Sequence, residues 1–434
     1  MSIEVISLLI LFGSFFGLLL YGVPIAVAIA LSTGITIVIS IPFMPGITTI
    51  TQRMTTGIDS FALLAIPFFI LAGDLMNRGE TASRLIDFAK SLVGSLPGGL
   101  AYVNITAAML FGAISGSAVA AASAIGSIMT DRMEEEGYPR PVSASVNIAS
   151  STTGLIIPPS NVLIIYALAS GGAASVAALF IAGYVPGILV GLGLMITSAL
   201  IAKRRNLPKG NRVRLSEVWF HFKRSFLSLL MLFVIVGGIV AGIFTATEAA
   251  GVAVVYAALL GFGYRTLRWS DIGPILLKSA KTTAIVMFLI SASMAMSWLF
   301  SFQNIPQLFT SFLLDHVSHA ILIFIVINIT LLIVGTFMDI TPAVLIFTPI
   351  FLPIVMELGM HPVHFGIIMV LNLCIGLCTP PVGTILFVGS GVAGVSVTEV
   401  IRPLLPLLIT MILVLLLITF IPALSLWLPQ VLGL

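Results

Sequence analysis

The chain has 434 residues, of which 59% are hydrophobic and only 8% are charged, and its formal net charge is +3. An ordinary soluble domain carries about 25% charged residues, so this chain has too few ionic groups to cover the surface of a water-soluble fold. Its basic residues lie mostly beside apolar runs, and we therefore expect membrane lipid around the chain and no nucleic-acid partner.

Apolar runs recur along the whole chain, from Ile3–Leu20 to 404–428. A helix needs about 20 residues to cross a hydrocarbon core of about 30 Å, and these runs are long enough. They lack the alternating pattern of membrane-barrel strands. The sequence therefore predicts an all-α polytopic membrane protein with roughly a dozen hydrophobic segments. The first segment carries Glu4 and no basic n-region, and we expect it to be retained as a span.

A polar interruption, Ser115-Gly116-Ser117, lies in the middle of a small-residue run that opens at Asn104. Glycine at the centre of an apolar helix favours a hairpin that enters the membrane and returns, and we predict one over about 98–131. Non-helical backbone at membrane depth persists only where it is buried in protein or lines a wet cavity. A binding site is therefore expected at this tip.

A proline pair, Pro158-Pro159, interrupts the next helix, which we predict over about 142–168. Two prolines remove two amide donors, so the helix must break and leave the carbonyls before them unpaired. Hard oxygen ligands without a surplus of carboxylates suit a monovalent cation such as Na⁺. The helix that starts after the break offers its N–H groups to an anion. A structural kink satisfied by neighbouring helices is the alternative.

Lysine and arginine concentrate in the segment 203–225. By the positive-inside rule this linker is cytoplasmic, and its aromatic residues are typical of an interfacial helix. The segments 78–90 and 265–281 are interpreted in the same way, as membrane-surface helices. Asp74, close to Asn77, is assigned a structural role.

The linker separates two halves, 1–202 and 226–434, and the second half repeats the pattern of the first. In both halves a glycine precedes the proline pair by 21 residues: Gly137 before Pro158, and Gly359 before Pro380. Transporters are commonly built from such repeats, and we predict an internal duplication. The second repeat then has a hairpin over about 320–357 and a broken helix over about 363–390.

Asp339 is the one acidic residue in the apolar region 321–355. Ionisable residues inside a membrane are functional candidates, and at the second hairpin tip it is predicted to bind a cation. A helix cap made with Thr341 is the alternative. Cys374 and Cys378 are interpreted as packing residues, because two thiols do not complete a four-ligand metal site. No P-loop occurs, so ATP hydrolysis by this chain is not expected.

Three motifs in order resemble one known family: the run Phe61-Ala62-Leu63-Leu64-Ala65-Ile66-Pro67-Phe68-Phe69-Ile70-Leu71-Ala72-Gly73, the tip Phe111-Gly112-Ala113-Ile114-Ser115-Gly116-Ser117, and Ile157-Pro158-Pro159-Ser160. They are similar to the large permease subunit of tripartite ATP-independent periplasmic (TRAP) transporters, the DctM-like proteins. The resemblance runs from about residue 21 to 408.

The resemblance implies two inverted repeats with re-entrant hairpins and broken helices, arranged as a scaffold and an elevator-type transport domain. It implies Na⁺-coupled uptake of an organic acid across the bacterial inner membrane. The implied partners are a small four-helix membrane subunit and a periplasmic solute-binding protein that delivers the substrate. C4-dicarboxylates, sialic acid and other sugar acids all remain open as that substrate.

The resemblance also implies site residues at the matching positions, in the two tips and the two proline breaks. The predicted Na⁺ ligands are Ser115, Gly116, Ser117, Ser151, Thr152, Gly154, Pro158, Asp339, Thr341, Gly376 and Thr379. The predicted substrate-binding residues, between the two tips, are Ser117, Pro159, Ser160, Asn161, Thr341, Pro381, Gly383 and Thr384.

Three other functions fit parts of the pattern. A stand-alone ion-coupled anion transporter would have the same hairpins and broken helices but no binding protein. An ion channel would also have repeats and unwound backbone, and saturable substrate uptake would exclude it. A membrane-embedded enzyme is disfavoured, because the sequence has no visible nucleophile–base or metal constellation.

Overall fold

The computed structural model describes residues 3–77, 80–96, 98–204, 214–308 and 319–434, and the described residues form helices and no strands. Residues 205–213 of the predicted linker and residues 78 and 79 of the segment 78–90 lie outside the described residues. The helices of the first half are α1 Ile3–Leu20, α2 Ile25–Ser40, α3 Phe43–Ile58, α4 Ala65–Asn77, α5 Thr81–Val93, α6 Gly99–Ser115, α7 Ala118–Glu135, α8 Arg140–Ser151, α9 Asn161–Ala169 and α10 Val176–Arg204.

The second half has nine described helices. They are α11 Leu215–Val240, α12 Ala246–Gly263, α13 Trp269–Phe302, α14 Ala320–Phe337, α15 Ile340–Glu357, α16 Pro362–Gly376, α17 Thr384–Ala393, α18 Val397–Phe420 and α19 Ala423–Val431. Short 3₁₀ turns precede α4 at Phe61–Leu64 and follow α8 at Thr152–Leu155.

Within the described ranges, seven helices are long and apolar enough to cross a membrane. An eighth span results if the bent pair Phe43–Ile58 and Phe61–Asn77 counts as one. Shorter apolar helices make up the rest of the roughly dozen predicted segments, because the breaks and tips divide apolar runs into pieces too short to span alone. The chain is an all-helical multi-pass membrane protein, as the sequence predicts.

Each half contains a helical hairpin followed by a broken helix. In the first half α6 and α7 form the hairpin, and α8 and α9 are the two parts of the broken helix. In the second half α14 and α15 form the hairpin, and α16 and α17 the broken helix. Helix stops before each proline pair and restarts after it, and both Pro158–Pro159 and Pro380–Pro381 are cis peptides.

The two broken helices run antiparallel, so the repeats are inverted. At one end the Arg140 guanidinium, at the start of α8, donates to the Ala393 carbonyl at the end of α17, at 3.0 Å. At the other end the Tyr166 hydroxyl, in α9, donates to the Pro362 carbonyl at the start of α16, at 2.7 Å. The start of each broken helix therefore lies beside the end of the other.

Glycine pairs bring each hairpin into backbone contact with its own broken helix. Gly112 of α6 lies directly against Gly154, and a Cβ on either residue would overlap the other's backbone. In the second repeat a Cβ on Gly376 would lie 2.5 Å from the Cα atom of Gly335. The same close approach in both halves supports the duplication that the sequence predicts.

A second group of helices packs beside the repeats. Helices α2 and α3 pack on α13, α4 packs on α12, and α11 packs on α5 and α12. This group meets the repeats where α4 and α5 contact α6 and where α13 contacts α15. Two segments predicted as separate surface helices are instead the first turns of long helices: 215–225 opens α11, and 269–281 opens α13.

Candidate functional site at the hairpin tips

A cavity of about 700 Å³ lies where both hairpin tips and both breaks meet α4 and α13. Its repeat-side polar lining is Ser115, Gly116, Ser117, Ser123, Asn161, Asp339, Thr341 and Thr384. Its other wall is one face of α4 and one face of α13. That wall consists of Ile66, Ile70, Gly73, Asp74 and Asn77 with Lys278, Thr282 and Val286.

The tip of the first hairpin is a tight turn that only glycine fits comfortably. Gly116 has φ +60°, the left-handed region that side chains rarely adopt, and it ends α6. Ser117 caps α7 by accepting a hydrogen bond from the amide of Ala120 at 3.2 Å. The tip therefore presents backbone and hydroxyl oxygens of Ser115–Ser117 to the cavity.

The first break meets this tip through Asn161, the first residue of α9. A Cβ on Gly116 would lie 3.5 Å from both the Pro159 carbonyl oxygen and the Asn161 amide nitrogen. The Asn161 Oδ1 atom is buried and accepts no hydrogen bond from the described residues. A buried amide oxygen without a donor is costly, and a cation would satisfy it. The Asn161 atom nearest to Gly116 is the side-chain nitrogen, so the oxygens that a small monovalent cation could use here are the Pro159 carbonyl and Asn161 Oδ1.

The tip of the second hairpin is capped by Asp339. One of its carboxylate oxygens accepts from the amide of Ile340 at 2.9 Å, at the start of α15. The side chain is nevertheless exposed to the cavity, next to Thr341. The cap is therefore made with Ile340 and not with Thr341, and it uses one of the two carboxylate oxygens.

At the second break, backbone carbonyls converge on Gly383. Its amide donates to the Thr336 carbonyl at 3.1 Å, and a Cβ on it would lie 2.7 Å from the Leu377 carbonyl oxygen. Leu377 and Thr384, on either side of the break, line the cavity. Both carbonyls are already paired, because Thr336 accepts from Gly383, and Leu377 accepts from the amides of Ile385 and Leu386. At these two atoms the break is satisfied by neighbouring backbone, as in the structural alternative.

Of the predicted site residues, seven line the cavity: Ser115, Gly116, Ser117, Asn161, Asp339, Thr341 and Thr384. The others lie behind this surface or away from it: Ser151, Thr152, Gly154, Pro158, Pro159, Ser160, Gly376, Thr379, Pro381 and Gly383. The hydroxyls among these donate to carbonyls of their own chain segment. Ser151 donates to Asn147 at 2.6 Å, Thr152 to Ala149 at 2.7 Å and Thr379 to Ile375 at 2.8 Å.

Sequence reasoning missed the charged pair on the opposite wall. Lys278 Nζ lies 2.6 Å from one carboxylate oxygen of Asp74, and the Ser279 hydroxyl donates to the other at 2.8 Å. One sequence feature indicates that Lys278 shares a helix face with other residues, namely the four-residue spacing. Lys278, Thr282 and Val286 are four residues apart and share one face of α13, which a surface-helix interpretation does not use.

The cavity carries two carboxylates, Asp74 and Asp339, against one ammonium, Lys278. Within the described ranges no group of three or more His, Cys, Asp or Glu side chains could hold a metal ion. The arrangement is therefore one of neutral oxygens with isolated charges. Such a set suits weakly held monovalent cations and a small anion rather than a multivalent metal.

Residues 12–424 match the family described as "Tripartite ATP-independent periplasmic transporter, DctM component". The chain is 52% identical over 424 residues to the uncharacterized protein YgiK of Salmonella typhimurium, covering 98% of this chain and 97% of that protein. It is 44% identical over 377 residues to the C4-dicarboxylate TRAP transporter large permease protein DctM of Pseudomonas aeruginosa, covering 87% and 88%. It is 38% identical over 419 residues to the 2,3-diketo-L-gulonate TRAP transporter large permease protein YiaN of Escherichia coli, covering 96% and 98%.

The crystal structure of the Alcanivorax borkumensis YdaH transporter has a similar fold. The TM-score is 0.63 at 13% sequence identity, and the match covers 89% of this chain and 90% of that one. At this identity the similarity concerns the fold alone.

Proposed function

Since the chain belongs to the DctM family of TRAP transporter large permeases, we propose that it takes up an organic acid by secondary active transport coupled to Na⁺. The cavity between the tips is the proposed site for both solutes. The supporting observation is that tips and breaks from both repeats meet in one cavity lined by oxygens and few charges.

The charges of the cavity support coupling to a cation. With Asp74 and Asp339 ionised and Lys278 protonated, the lining carries one net negative charge. An organic anion entering alone would be repelled by that charge in a site shielded from water. Cations bound at the tips remove the repulsion, so anion binding and cation binding favour each other.

Two places would hold the cations. At the first tip the ligands are the oxygens of Ser115–Ser117 and the donor-free Oδ1 of Asn161. At the second tip they are Asp339 and Thr341. The hydroxyls of Ser151, Thr152 and Thr379 are not cation ligands in this proposal. They donate hydrogen bonds to carbonyls of the broken helices and so stabilise the backbone beside the cation sites.

The substrate class follows from the relatives named above and two more. Proteins 38% and 37% identical to this chain are named for C4-dicarboxylate in Rhodobacter capsulatus and for sialic acid in Vibrio cholerae. With 2,3-diketo-L-gulonate, these solutes are all small organic acids. We propose that this chain takes a C4-dicarboxylate, a sialic acid or another sugar acid, bound near Ser117, Asn161, Thr341 and Thr384.

An elevator-type motion is the proposed transport step. The inverted repeats form one packed body, tied together at both ends by the bonds of Arg140 and Tyr166. The α4–α13 wall belongs to the other packed group. Sliding the repeat body along that wall would carry the repeat-side lining of the cavity, with its solutes, from one side of the membrane to the other, while the wall with Lys278 stays in place.

The proposed setting is the bacterial inner membrane, with a small membrane subunit and a periplasmic solute-binding protein as partners. One relative, 41% identical to this chain, is named as the isethionate TRAP transporter permease protein DctMQ, and this chain covers 66% of it. That protein therefore extends beyond its match with this chain.

Reconstitution tests the function. The chain is placed in liposomes with its small subunit and binding protein, and uptake of labelled succinate, 2,3-diketo-L-gulonate and sialic acid is measured. We expect saturable uptake of one of them that needs an inward Na⁺ gradient and stops when K⁺ replaces Na⁺. Equal uptake without the binding protein would instead favour a stand-alone transporter, and uptake indifferent to Na⁺ would contradict the coupling.

A further inference from the structure

The α4–α13 wall of the cavity carries a charged pair that the proposed function does not yet use. Lys278, ten residues into α13, pairs with Asp74 of α4 at 2.6 Å, and Ser279 donates to the second carboxylate oxygen at 2.8 Å. Asp74 is thus held by two partners, which fix the position of its carboxylate.

The pair lies beside the first hairpin tip. Gly73, the residue before Asp74, packs so closely on the tip that a Cβ there would lie 2.8 Å from the Ser115 carbonyl oxygen. Asp74 and Lys278 also line a second, smaller cavity of about 190 Å³ together with Asn77. The Asp74–Lys278 ion pair therefore lines both cavities, and Asp74 follows the residue that packs on the first hairpin tip.

The two partners differ in accessibility. The Asp74 side chain is 11% exposed, whereas the Lys278 side chain is 67% exposed. An ammonium group has three donors, and Asp74 takes one of them. Lys278 therefore keeps donors free toward the cavity. Among the described residues that line the cavity, Lys278 is the one cationic side chain.

We propose that Lys278 binds the acid group of the transported solute, with Asp74 and Ser279 as positioning residues. This inference rests on the proposed uptake of an organic acid and names the residue that would recognise the acid. The ligand is an oxyanion group, a carboxylate or a sulfonate, because a lysine binds either as a point charge.

A purely structural ion pair is the competing interpretation, and paired variants separate the two. Lys278→Gln alone removes the cation but leaves Asp74 as a partly buried carboxylate without its partner, so it combines both effects. The double variant Asp74→Asn with Lys278→Gln restores a neutral hydrogen-bonding pair and still lacks the cation. Lys281→Gln is the matched control, because Lys281 is exposed on the same helix and does not line the cavity.

The experiment measures uptake into liposomes by the complete transporter, with whichever of labelled succinate, 2,3-diketo-L-gulonate or sialic acid the wild type carries. For the double variant we expect the KM for that acid to rise by at least about tenfold, as for loss of a charged hydrogen bond. Lys281→Gln is expected to keep the wild-type KM. A double variant with wild-type KM would overturn the role of Lys278, while wild-type uptake itself would leave the proposed function standing.

Chemical rescue gives a second measurement. Both native cysteines, Cys374 and Cys378, are fully buried, so a cysteine at position 278 is the accessible target. After Lys278→Cys, 2-aminoethyl methanethiosulfonate forms a mixed disulfide that ends in an ammonium group and releases the sulfinate. We expect it to restore uptake, and the neutral methyl reagent not to. Equal rescue by both reagents would show that side-chain volume rather than charge matters there. No uptake of any acid by the wild type would refute the proposed function instead.

Discussion

Asp339 caps α15 with one carboxylate oxygen, and the residue also lines the cavity. We predict that Asp339→Asn removes the charge but keeps the cap, since asparagine caps a helix as well as aspartate does. The Na⁺ concentration for half-maximal uptake is expected to rise at least about tenfold, or uptake to be lost. Uptake by the reconstituted transporter at graded Na⁺ concentrations measures this.

A matched control for Asp339 is Glu248→Gln. Glu248 also caps a helix, through bonds to Thr245, but it lies in α12, away from the cavity. Its substitution is expected to leave Na⁺ dependence unchanged. Unaltered Na⁺ affinity in both variants would remove Asp339 from the site.

Asn161 is the second residue whose chemistry can be tested alone. Its Oδ1 atom is buried without a donor beside the first tip, so a bound cation would be its partner. We predict that Asn161→Ala raises the Na⁺ concentration needed for half-maximal uptake. Asn147→Ala is the control, because Asn147 Oδ1 is also buried without a donor among the described residues but does not line the cavity. A similar rise of the half-maximal Na⁺ concentration in both variants would indicate a general loss of stability.

At the scale of elements, the glycine contacts fix how each hairpin sits on its broken helix. Gly112→Ala places a methyl group against the backbone of Gly154, and we predict a destabilisation of about 1–3 kcal/mol. Thermal unfolding of the purified protein in detergent measures it. Gly251→Ala is the control, since a Cβ at that helical position meets no atom within 4 Å. If Gly112→Ala unfolds no earlier than this control, the contact does not constrain the hairpin.

The elements that the sequence predicts well are those set by local chain chemistry. Proline pairs must interrupt a helix wherever they occur, and glycine at an apolar centre permits a tip, so breaks and hairpins follow from neighbouring residues. The site was less accessible to the same reasoning. Ser151, Thr152 and Thr379 are hydroxyls beside the breaks, yet they turn back to carbonyls of their own helices. Which way a hydroxyl points depends on packing that local pattern does not reveal.

The α4–α13 wall of the cavity depends on contacts between parts of the chain that are distant in sequence. Asp74 and Lys278 are 204 residues apart, and no periodicity within either helix indicates that they pair. A charged residue near the end of an apolar run is usually interfacial. The sequence therefore places the segment of Lys278 at the membrane surface and predicts a structural role for Asp74. Their place at the cavity emerges only when α4 packs beside α13.

At the scale of the whole molecule, the proposed sliding motion predicts that tying the repeats to the other helices stops transport. Arg132 of the first hairpin pairs with Asp87 of α5 at 3.1 Å, and α5 packs on α11. We predict that cysteines at both positions, joined by a short bifunctional methanethiosulfonate, abolish uptake, and that reduction restores it. The measurement is uptake by the reconstituted complex before and after the cross-link.

A cross-link inside one group of helices is the comparison for this test. Cysteines in place of Leu227 and Tyr256, which are joined by a 2.7 Å hydrogen bond between α11 and α12, are expected to leave uptake intact when bridged. Full activity with the Asp87–Arg132 positions bridged would show that these two segments keep their distance during the transport cycle. The boundary between the moving and the fixed helices would then not lie between α5 and the first hairpin, on which α5 also packs through α6.

The antiparallel broken helices also bear on how the polypeptide matures. The bond from Tyr166 to Pro362 spans 196 residues, and the bond from Arg140 to Ala393 spans 253. When the ribosome has completed the first half, the Arg140 guanidinium already has Asp131 and Glu134 as partners, whereas the buried Tyr166 hydroxyl still lacks the carbonyl that accepts its hydrogen bond. Polar groups unmatched in hydrocarbon are unfavourable, and domains tend to fold as units. We therefore expect the first half to complete its folding only after the second half has entered the bilayer. A polypeptide cut at the linker is expected to be a target for membrane proteases.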